Sequence, residues 1–225
     1  NAIHQRNLKK IPIRIHVNGT RGKSTTTRLI AGILRQAGYR VVAKTTGTAA
    51  QLILEDGSEE PVKRRRKPSI IEQVKIVREA ARRHADVLVI ECMAVHSEMQ
   101  WVSEKRILQS TIGVITNARE DHLDVMGPTR QHVASALALA IPQRGKLVLG
   151  EEEFFSFFRE EAEKLGTTTY LADPSIADSD MDRFPYMMFR ENVACALKVG
   201  ELLAIPHSVA WEGMVRATPD LGSTQ

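Results

Sequence analysis

The chain has 225 residues, of which 43% are hydrophobic and 26% charged, so it can bury a substantial core as an ordinary globular protein. No apolar run approaches the roughly 20 residues that a membrane-spanning helix needs. The net charge of +4 suits an anionic ligand, but only 5% of residues are aromatic and none lies among the basic ones, which argues against a platform for stacking nucleic-acid bases.

The chain begins with alternating helix and strand patterns. Polar and basic residues at 1–10 predict a tail or a short helix, and the first strand is expected at 11–17. After a Gly-rich turn, an apolar helical stripe within 29–37 ends at Gly38. A second strand is expected at 39–43.

The next segment combines a turn, a charge run and a helix start. The pair Asp56-Gly57 predicts a small hairpin within 51–62. The basic run 63–67 is either a solvated loop or a patch for an anionic substrate or for phosphates. Ser69 and Glu72 have the spacing of a capping box, which predicts that a helix begins there.

The remainder of the chain continues the alternation. The apolar run 87–90 predicts a strand buried on both faces, as in a parallel sheet. Further strands are expected at 111–116, 146–149 and 167–171, and helices at 128–141, 153–165, 190–204 and 208–215. The fold class is therefore α/β, with a mainly parallel sheet flanked by helices and ligands at the carboxyl ends of its strands. Cys92 and Cys195 lie far apart in apolar segments, which predicts buried free thiols.

The segment 14–27, RIHVNGTRGKSTTT, predicts a phosphate-binding loop between a strand and a helix. Its glycines allow close backbone approach, and the helix start supplies N–H donors. Lys23 can reach the β- and γ-phosphates, and the Ser24 hydroxyl can ligate Mg²⁺. Val17 stands where the usual pattern has its first glycine, so a Gly-rich turn capped by Ser24 is the alternative.

Two further clusters follow predicted strand ends. Glu91 closes an apolar strand, where a P-loop protein keeps the acid that holds Mg²⁺; the alternative is a carboxylate facing water. Asp121, His122 and Asp124 follow the next strand, and imidazole with carboxylates can hold a second divalent ion or orient an acceptor. The Asn-Lys-x-Asp run of guanine recognition does not occur here.

Together, HVNGTRGKST, the strand-end Glu91 and TNAREDHLDVMG resemble the Mur ligase family of ATP-dependent amide-bond ligases. Within that family, KTTGT, ECMAVHSEMQ and EDHLDVMGPT are most similar to the ligases that form poly-γ-glutamate, a bacterial capsule polymer. The resemblance implies a P-loop ATP-binding central domain at 11–220. It also implies that the chain stops near where the C-terminal ligase domain of the family would begin.

The resemblance further implies roles for individual residues. Lys23, Glu91 and His122 would be catalytic; Ser24 and Glu91 would hold one Mg²⁺, and His122 a second. The expected ATP-binding residues are Asn18, Gly19, Thr20, Arg21, Gly22, Lys23, Ser24, Thr25 and Asn192. The expected acceptor-side residues are Thr46, Gly47, Thr48 and Asn117.

The sequence also departs from the family pattern. Glu191 and Cys195 replace the His and the second Asn of the family's His-Asn-x-x-Asn helix start, which affects the expected nucleotide contact there. No lysine lies between Asp121 and Arg144, so the carbamylated lysine of several Mur ligases is not expected.

The implied function is ATP-dependent ligation of glutamate onto a poly-γ-glutamate acceptor. The expected partners are glutamate, the polymer and other membrane-bound subunits of a synthase, with a homo-oligomer possible and nucleic acid not expected. The expected location is peripheral, at the cytoplasmic face of a bacterial membrane. The alternatives are an ATP-binding regulatory or assembly subunit of a membrane polymer-export complex, and a folylpolyglutamate synthetase-like ligase.

Overall fold

The computed structural model describes residues 2–47, 49–62, 68–177 and 180–219. Across these residues, eight strands form one sheet in the order β4-β3-β2-β5-β1-β6-β7-β8. The strands are β1 (Ile13–Asn18), β2 (Val41–Lys44), β3 (Gln51–Ile53), β4 (Glu59–Pro61), β5 (Val87–Glu91), β6 (Ile112–Ile115), β7 (Lys146–Leu149) and β8 (Thr168–Leu171).

Strand β1 lies near the centre of the sheet, paired in parallel with β5 on one side and β6 on the other. The register places Val17 opposite Glu91 and Asn18 opposite Ile115. Among the described strands, antiparallel pairing occurs only at one edge, where β3 pairs with β2 on one side and with β4 on the other. The carboxyl ends of β1, β5 and β6 therefore meet at the same edge of the sheet.

Helices cover both faces. They are α1 (Ala2–Lys9), α2 (Lys23–Gln36), α3 (Ile71–Arg82), α4 (Ser97–Val102), α5 (Leu123–Met126), α6 (Arg130–Ala138), α7 (Phe155–Lys164), α8 (Arg190–Leu202) and α9 (His207–Val215). Helix α4 continues as a π-helical segment, Ser103–Leu108, and two short 3₁₀ segments lie at Pro174–Ala177 and Met181–Arg183. No described helix has the length and apolar character to cross a membrane.

The strands bury both faces because successive side chains point to opposite sides. On β5, Val89 packs into the cluster under α2, α8 and α9, whereas Leu88 and Ile90 pack into the cluster under α1 and α3. A third cluster joins β6 and β7 to α6 and α7. The continuous apolar run at 87–90 therefore belongs to a strand covered on both faces, as its pattern predicts.

The predicted α/β class, the parallel sheet and the hairpin are confirmed. The predicted capping box is wrong, because Ser69 Oγ lies 3.4 Å from the backbone N of Ile71 and the Glu72 carboxylate instead pairs with Lys44 Nζ at 2.8 Å. Of the two alternatives for residues 1–10, the structure has the helix, whose Leu8 is buried. The basic run 63–67 and Thr48 lie outside the described residues.

Candidate active site

The loop between β1 and α2 depends on two glycines. Gly19 and Gly22 have φ angles of 129° and 78°, which side-chain-bearing residues rarely adopt. A Cβ at Gly19 would collide with Thr116 Oγ1, and a Cβ at Gly22 would collide with Asn192 Oδ1. Both glycines are therefore required by backbone conformation and by close packing.

Asn117, two residues after the end of β6, holds this loop through its side-chain amide. Its Oδ1 accepts hydrogen bonds from Thr20 Oγ1 at 2.5 Å and from the backbone N of Arg21 at 2.9 Å, and its Nδ2 donates to the carbonyl of Arg21 at 3.0 Å. Thr116 Oγ1 donates to the same carbonyl at 2.6 Å. The geometry gives Asn117 a loop-positioning role, and its predicted contact with the acceptor stays a prediction.

Lys23 lies at the first turn of α2, and its ammonium group folds over the loop. Nζ donates to the carbonyl of Gly19 at 2.8 Å and to that of Thr20 at 3.1 Å. These carbonyls and the helix start hold the charge where a polyphosphate would lie along the loop. Lys23 is therefore held at the loop, and its task on the phosphates stays a prediction.

Glu91 ends β5 directly behind the loop. Ser24 Oγ donates to Glu91 Oε2 at 2.8 Å, and the backbone N of Thr46 donates to the same oxygen at 2.6 Å. The carboxylate is almost fully buried, with Glu91 only 3% exposed. The alternative of a strand-end acid facing water is therefore wrong, and the first two predicted metal ligands are in contact.

These ligands suit a hard divalent cation. A carboxylate and a hydroxyl are oxygen donors, and Mg²⁺ is commonly held by one or two such groups together with substrate phosphates. The described residues contain no group of three or more His, Cys, Asp or Glu side chains that could hold a metal alone. Ser24 and Glu91 therefore supply two oxygen ligands of the kind that such a cation prefers.

His122 comes from the loop after β6 and is half exposed. It has a left-handed backbone, with φ 47°, and its Nε2 lies 3.8 Å from Asp121 Oδ1. Asp121 in turn lies 3.7 Å from the guanidinium of Arg21 in the phosphate loop. His122 thus borders the same cleft as the loop, while its role as a second metal ligand remains a prediction.

One cleft of about 250 Å³ brings the predicted groups together. Its polar lining residues are Asn18, Gly19, Thr20, Lys23, Thr46, Gly47, Glu91, Asp121 and His122. It is also lined by Pro68, Cys92, Met93, Ala94, Val95 and Met126. Four of these, 92–95, belong to the motif ECMAVHSEMQ, from which no contact with the cleft was predictable.

Ser24, Asn117 and Asn192 are not among the residues that line the cleft. Ser24 contacts Glu91, and Asn117 holds the loop, as described above. Asn192 lies at the start of α8, where its Oδ1 accepts a 3.4 Å hydrogen bond from Thr26 Oγ1 and its side chain packs against Gly22. It therefore contacts the phosphate-binding turn in spite of the Glu191 and Cys195 departures. Thr25 lies in the first turn of α2, and its predicted phosphate contact remains a prediction.

His16 and Cys195 are buried, and the pKa of each is raised for a different reason. Burial lowers the pKa of His16, but hydrogen bonds and charge from Cys92 and Glu104 outweigh it and raise that pKa to about 10. Burial raises the pKa of the Cys195 thiol to about 12, which makes it chemically inert. Both cysteines are buried and free, as predicted.

Comparison with known proteins places this site in a family. Residues 17–186 match the Mur ligase middle domain. The chain is 45% identical over 223 residues to "PGA synthase CapB" of Bacillus subtilis, covering 98% of this chain and 57% of that protein. It is 46% identical over 223 residues to "Capsule biosynthesis protein CapB" of Bacillus anthracis, covering 98% of this chain and 48% of that protein. The chain thus spans about half the length of these relatives.

The fold also matches solved structures of low sequence identity. A bifunctional folylpolyglutamate synthase/dihydrofolate synthase from Yersinia pestis, complexed with AMPPNP and Mn ion, has a TM-score of 0.75 and 18% identity. The match covers 97% of this chain and 60% of that one, and it shows a shared fold. With the middle-domain match spanning most of the sequence, the chain belongs to the Mur ligase family.

Proposed function

We propose that this chain is the ATP-binding part of a ligase that joins glutamate to a poly-γ-glutamate acceptor. The observation that carries the proposal is the contact of the Glu91 carboxylate with the Ser24 hydroxyl behind the phosphate loop. Lys23 and His122 line the same cleft, so the groups expected to act on a polyphosphate share one space. The names of the two Bacillus relatives support the polymer as product.

The chemistry begins with a carboxylate, which is a poor electrophile because oxide is a poor leaving group. A carboxylate oxygen of the acceptor attacks the γ-phosphorus of ATP, the bond from that phosphorus to the β–γ bridging oxygen breaks, and ADP leaves. The resulting acyl phosphate is then attacked at its carbonyl carbon by the glutamate amine. The amine loses a proton, phosphate leaves with the C–O electron pair, and an amide remains.

The residues of this chain act mainly on the first step. Lys23 and the backbone N–H groups of the loop neutralise charge on the transferring phosphoryl group and hold it in line with the acceptor. Ser24 and Glu91 would hold a Mg²⁺, which supplies charge stabilisation to the phosphates when bound. Thr46 and Gly47 lie beside Glu91, where the acceptor carboxylate would approach.

Several finer features belong to the same proposal. Residues 11–220 would form the ATP-binding unit of the ligase. The polymer is a polyanion, and binding it is the task proposed for the basic run 63–67. Association with membrane-bound synthase subunits, and with further copies of the chain, would hold it at the cytoplasmic face of a bacterial membrane.

The test separates binding from turnover. Titration calorimetry with AMPPNP and Mg²⁺ measures binding, and a coupled assay measures ADP release with and without glutamate and polymer. The proposal expects Mg²⁺-dependent binding, and ADP release that requires both glutamate and poly-γ-glutamate. ADP release independent of glutamate would favour the regulatory subunit, and turnover with a pteroate acceptor would favour a folylpolyglutamate synthetase.

A further inference from the structure

Gln100, on α4, contacts two residues that line the cleft, Asn18 and Val95, through one side-chain amide. Its Oε1 accepts a hydrogen bond from Asn18 Nδ2 at 2.8 Å, and its Nε2 donates to the carbonyl of Val95 at 3.1 Å. The residue is fully buried, at 0% exposure. Asn18 is the last residue of β1, and Val95 lies four residues after Glu91 and lines the cleft.

The direction of these hydrogen bonds is fixed at both ends by the backbone. The N–H of Gly19 can only donate, and it does so to Asn18 Oδ1 at 2.9 Å. Asn18 therefore donates a hydrogen bond from its amino group, and Gln100 accepts it with its side-chain oxygen. The amino group of Gln100 is then left for the carbonyl of Val95, which can only accept.

The phosphate loop follows β1, and residues 92–95 follow the neighbouring strand β5 and line the same cleft. The backbone joins the two segments as far as Cys92, whose N–H donates to the carbonyl of Val17 at 2.8 Å. The two side-chain amides extend the connection from Asn18 to Val95. Turning either amide over would place like groups against each other, so the connection has one favourable arrangement. Two side-chain hydrogen bonds therefore connect the last residue of β1 to Val95.

We propose that Gln100 is a positioning residue that links the phosphate loop to residues 92–95, so that nucleotide binding at the loop orders this segment of the cleft lining. The inference rests on the proposed function, because it requires a nucleotide at the loop. It assigns Gln100 no contact with substrate. Its consequence is that the part of the cleft formed by residues 92–95 is fully ordered only when the nucleotide is bound.

The test is hydrogen exchange of backbone amides, measured by mass spectrometry with and without AMPPNP and Mg²⁺. In the wild type we expect nucleotide to slow exchange both in the loop, 18–25, and in 92–96, the latter by at least about fivefold. In Gln100→Met, which keeps the length of the side chain and removes both hydrogen bonds, we expect protection of the loop and a change below about twofold in 92–96.

Ser103→Ala provides the matched control. Ser103 is also fully buried on the same helical segment, and its Oγ donates to Gln73 Oε1 at 2.5 Å, toward α3. This variant loses a buried hydrogen bond of the same kind, and we expect it to show wild-type protection at 92–96. If Gln100→Met does not fold, Asn18→Ser breaks the same connection from the loop side while keeping an oxygen for the N–H of Gly19.

Each result decides the question. Nucleotide protection of 92–96 that persists in Gln100→Met or Asn18→Ser would overturn the inference, as would a wild type in which 92–96 does not respond to bound nucleotide. Loss of the response in Ser103→Ala as well would assign it to general destabilisation and would also overturn it. A wild type that binds no AMPPNP refutes the proposed function itself, and with it the inference.

Discussion

Replacing Asn117 by Ala separates the two roles that this residue can have. Its amide makes three hydrogen bonds to the phosphate loop. At about 1 kcal/mol of net stabilisation for each, their removal costs the loop about 3 kcal/mol. Water replaces part of the lost hydrogen bonding at the exposed Arg21. We therefore expect the free energy of AMPPNP binding to weaken by about 1 to 2 kcal/mol, which raises the Kd for AMPPNP about 5- to 30-fold.

The assay is titration calorimetry with AMPPNP and Mg²⁺, together with the melting temperature of each variant. Thr167→Ala is the matched control, because Thr167 Oγ1 donates to the carbonyl of Pro142 at 2.8 Å and accepts from the backbone N of Gly145 at 3.1 Å. This buried side chain bridges backbone groups at the amino-terminal edge of the sheet, away from the cleft. We expect the control to lose stability and to keep wild-type affinity for AMPPNP.

The acceptor prediction for Asn117 has a different signature. If its side chain served mainly to contact the acceptor, the variant would keep its nucleotide affinity and show a raised KM for poly-γ-glutamate. An unchanged Kd for AMPPNP in Asn117→Ala would therefore refute the loop-positioning role. An equal loss of affinity in Thr167→Ala would refute the assignment of the effect to the loop.

Four further outcomes are expected. Lys23→Ala should abolish ATP turnover while leaving the melting temperature within about 2 °C of wild type, because among the described residues its ammonium group donates to two loop carbonyls that water can also reach as a donor. Glu91→Gln should keep the fold and lose Mg²⁺-dependent ADP release, since the neutral amide is a poor ligand for a hard cation. Neutralising the basic run 63–67 should raise the KM for polymer and flatten its salt dependence; an unchanged KM contradicts the proposed task of this run. Hydrogen bonding to Arg82, and then to Arg83, lowers the pKa of Glu79 from 4.5 to about 2, so its stabilisation is present above pH 4.5 and is lost as the pH falls toward 2; Glu79→Gln should lower the melting temperature at pH 7 and not at pH 2.

The sequence predicted the parts of the fold that local patterns determine. The run at 87–90 could be assigned to a doubly covered strand because every one of its residues is apolar, and 146–149 matches β7 residue for residue. The phosphate loop was identifiable because its glycines, lysine and serine are adjacent in sequence. Placing Glu91 behind Ser24 followed from one rule, that carboxyl ends of parallel strands share an edge.

The capping box shows where local patterns fail. Ser69 and Glu72 have the right spacing, but the fully buried Lys44 needs an anion, and Glu72 provides it at 2.8 Å. A buried charge without a partner costs more than a helix cap contributes, so the tertiary pair determines where Glu72 points. The sequence gives no sign that a lysine at the end of β2 is buried under α3.

For a related reason, the sequence could not predict the hydrogen bonds that hold the phosphate loop in place. Asn117 and Gln100 are separated from their loop partners by 97 and 82 residues, so no spacing rule connects them. Each acts through a side-chain amide, which can donate and accept at once and can therefore join backbone groups of opposite polarity. The residues that would contact phosphate are adjacent in the sequence and form a recognisable motif. The side-chain amides that hold these residues in place are distant in the sequence, and they come close only when the sheet has formed. For this reason the Asn117 and Gln100 variants, more than those at Lys23 or Glu91, test whether the structure explains the site beyond its motif.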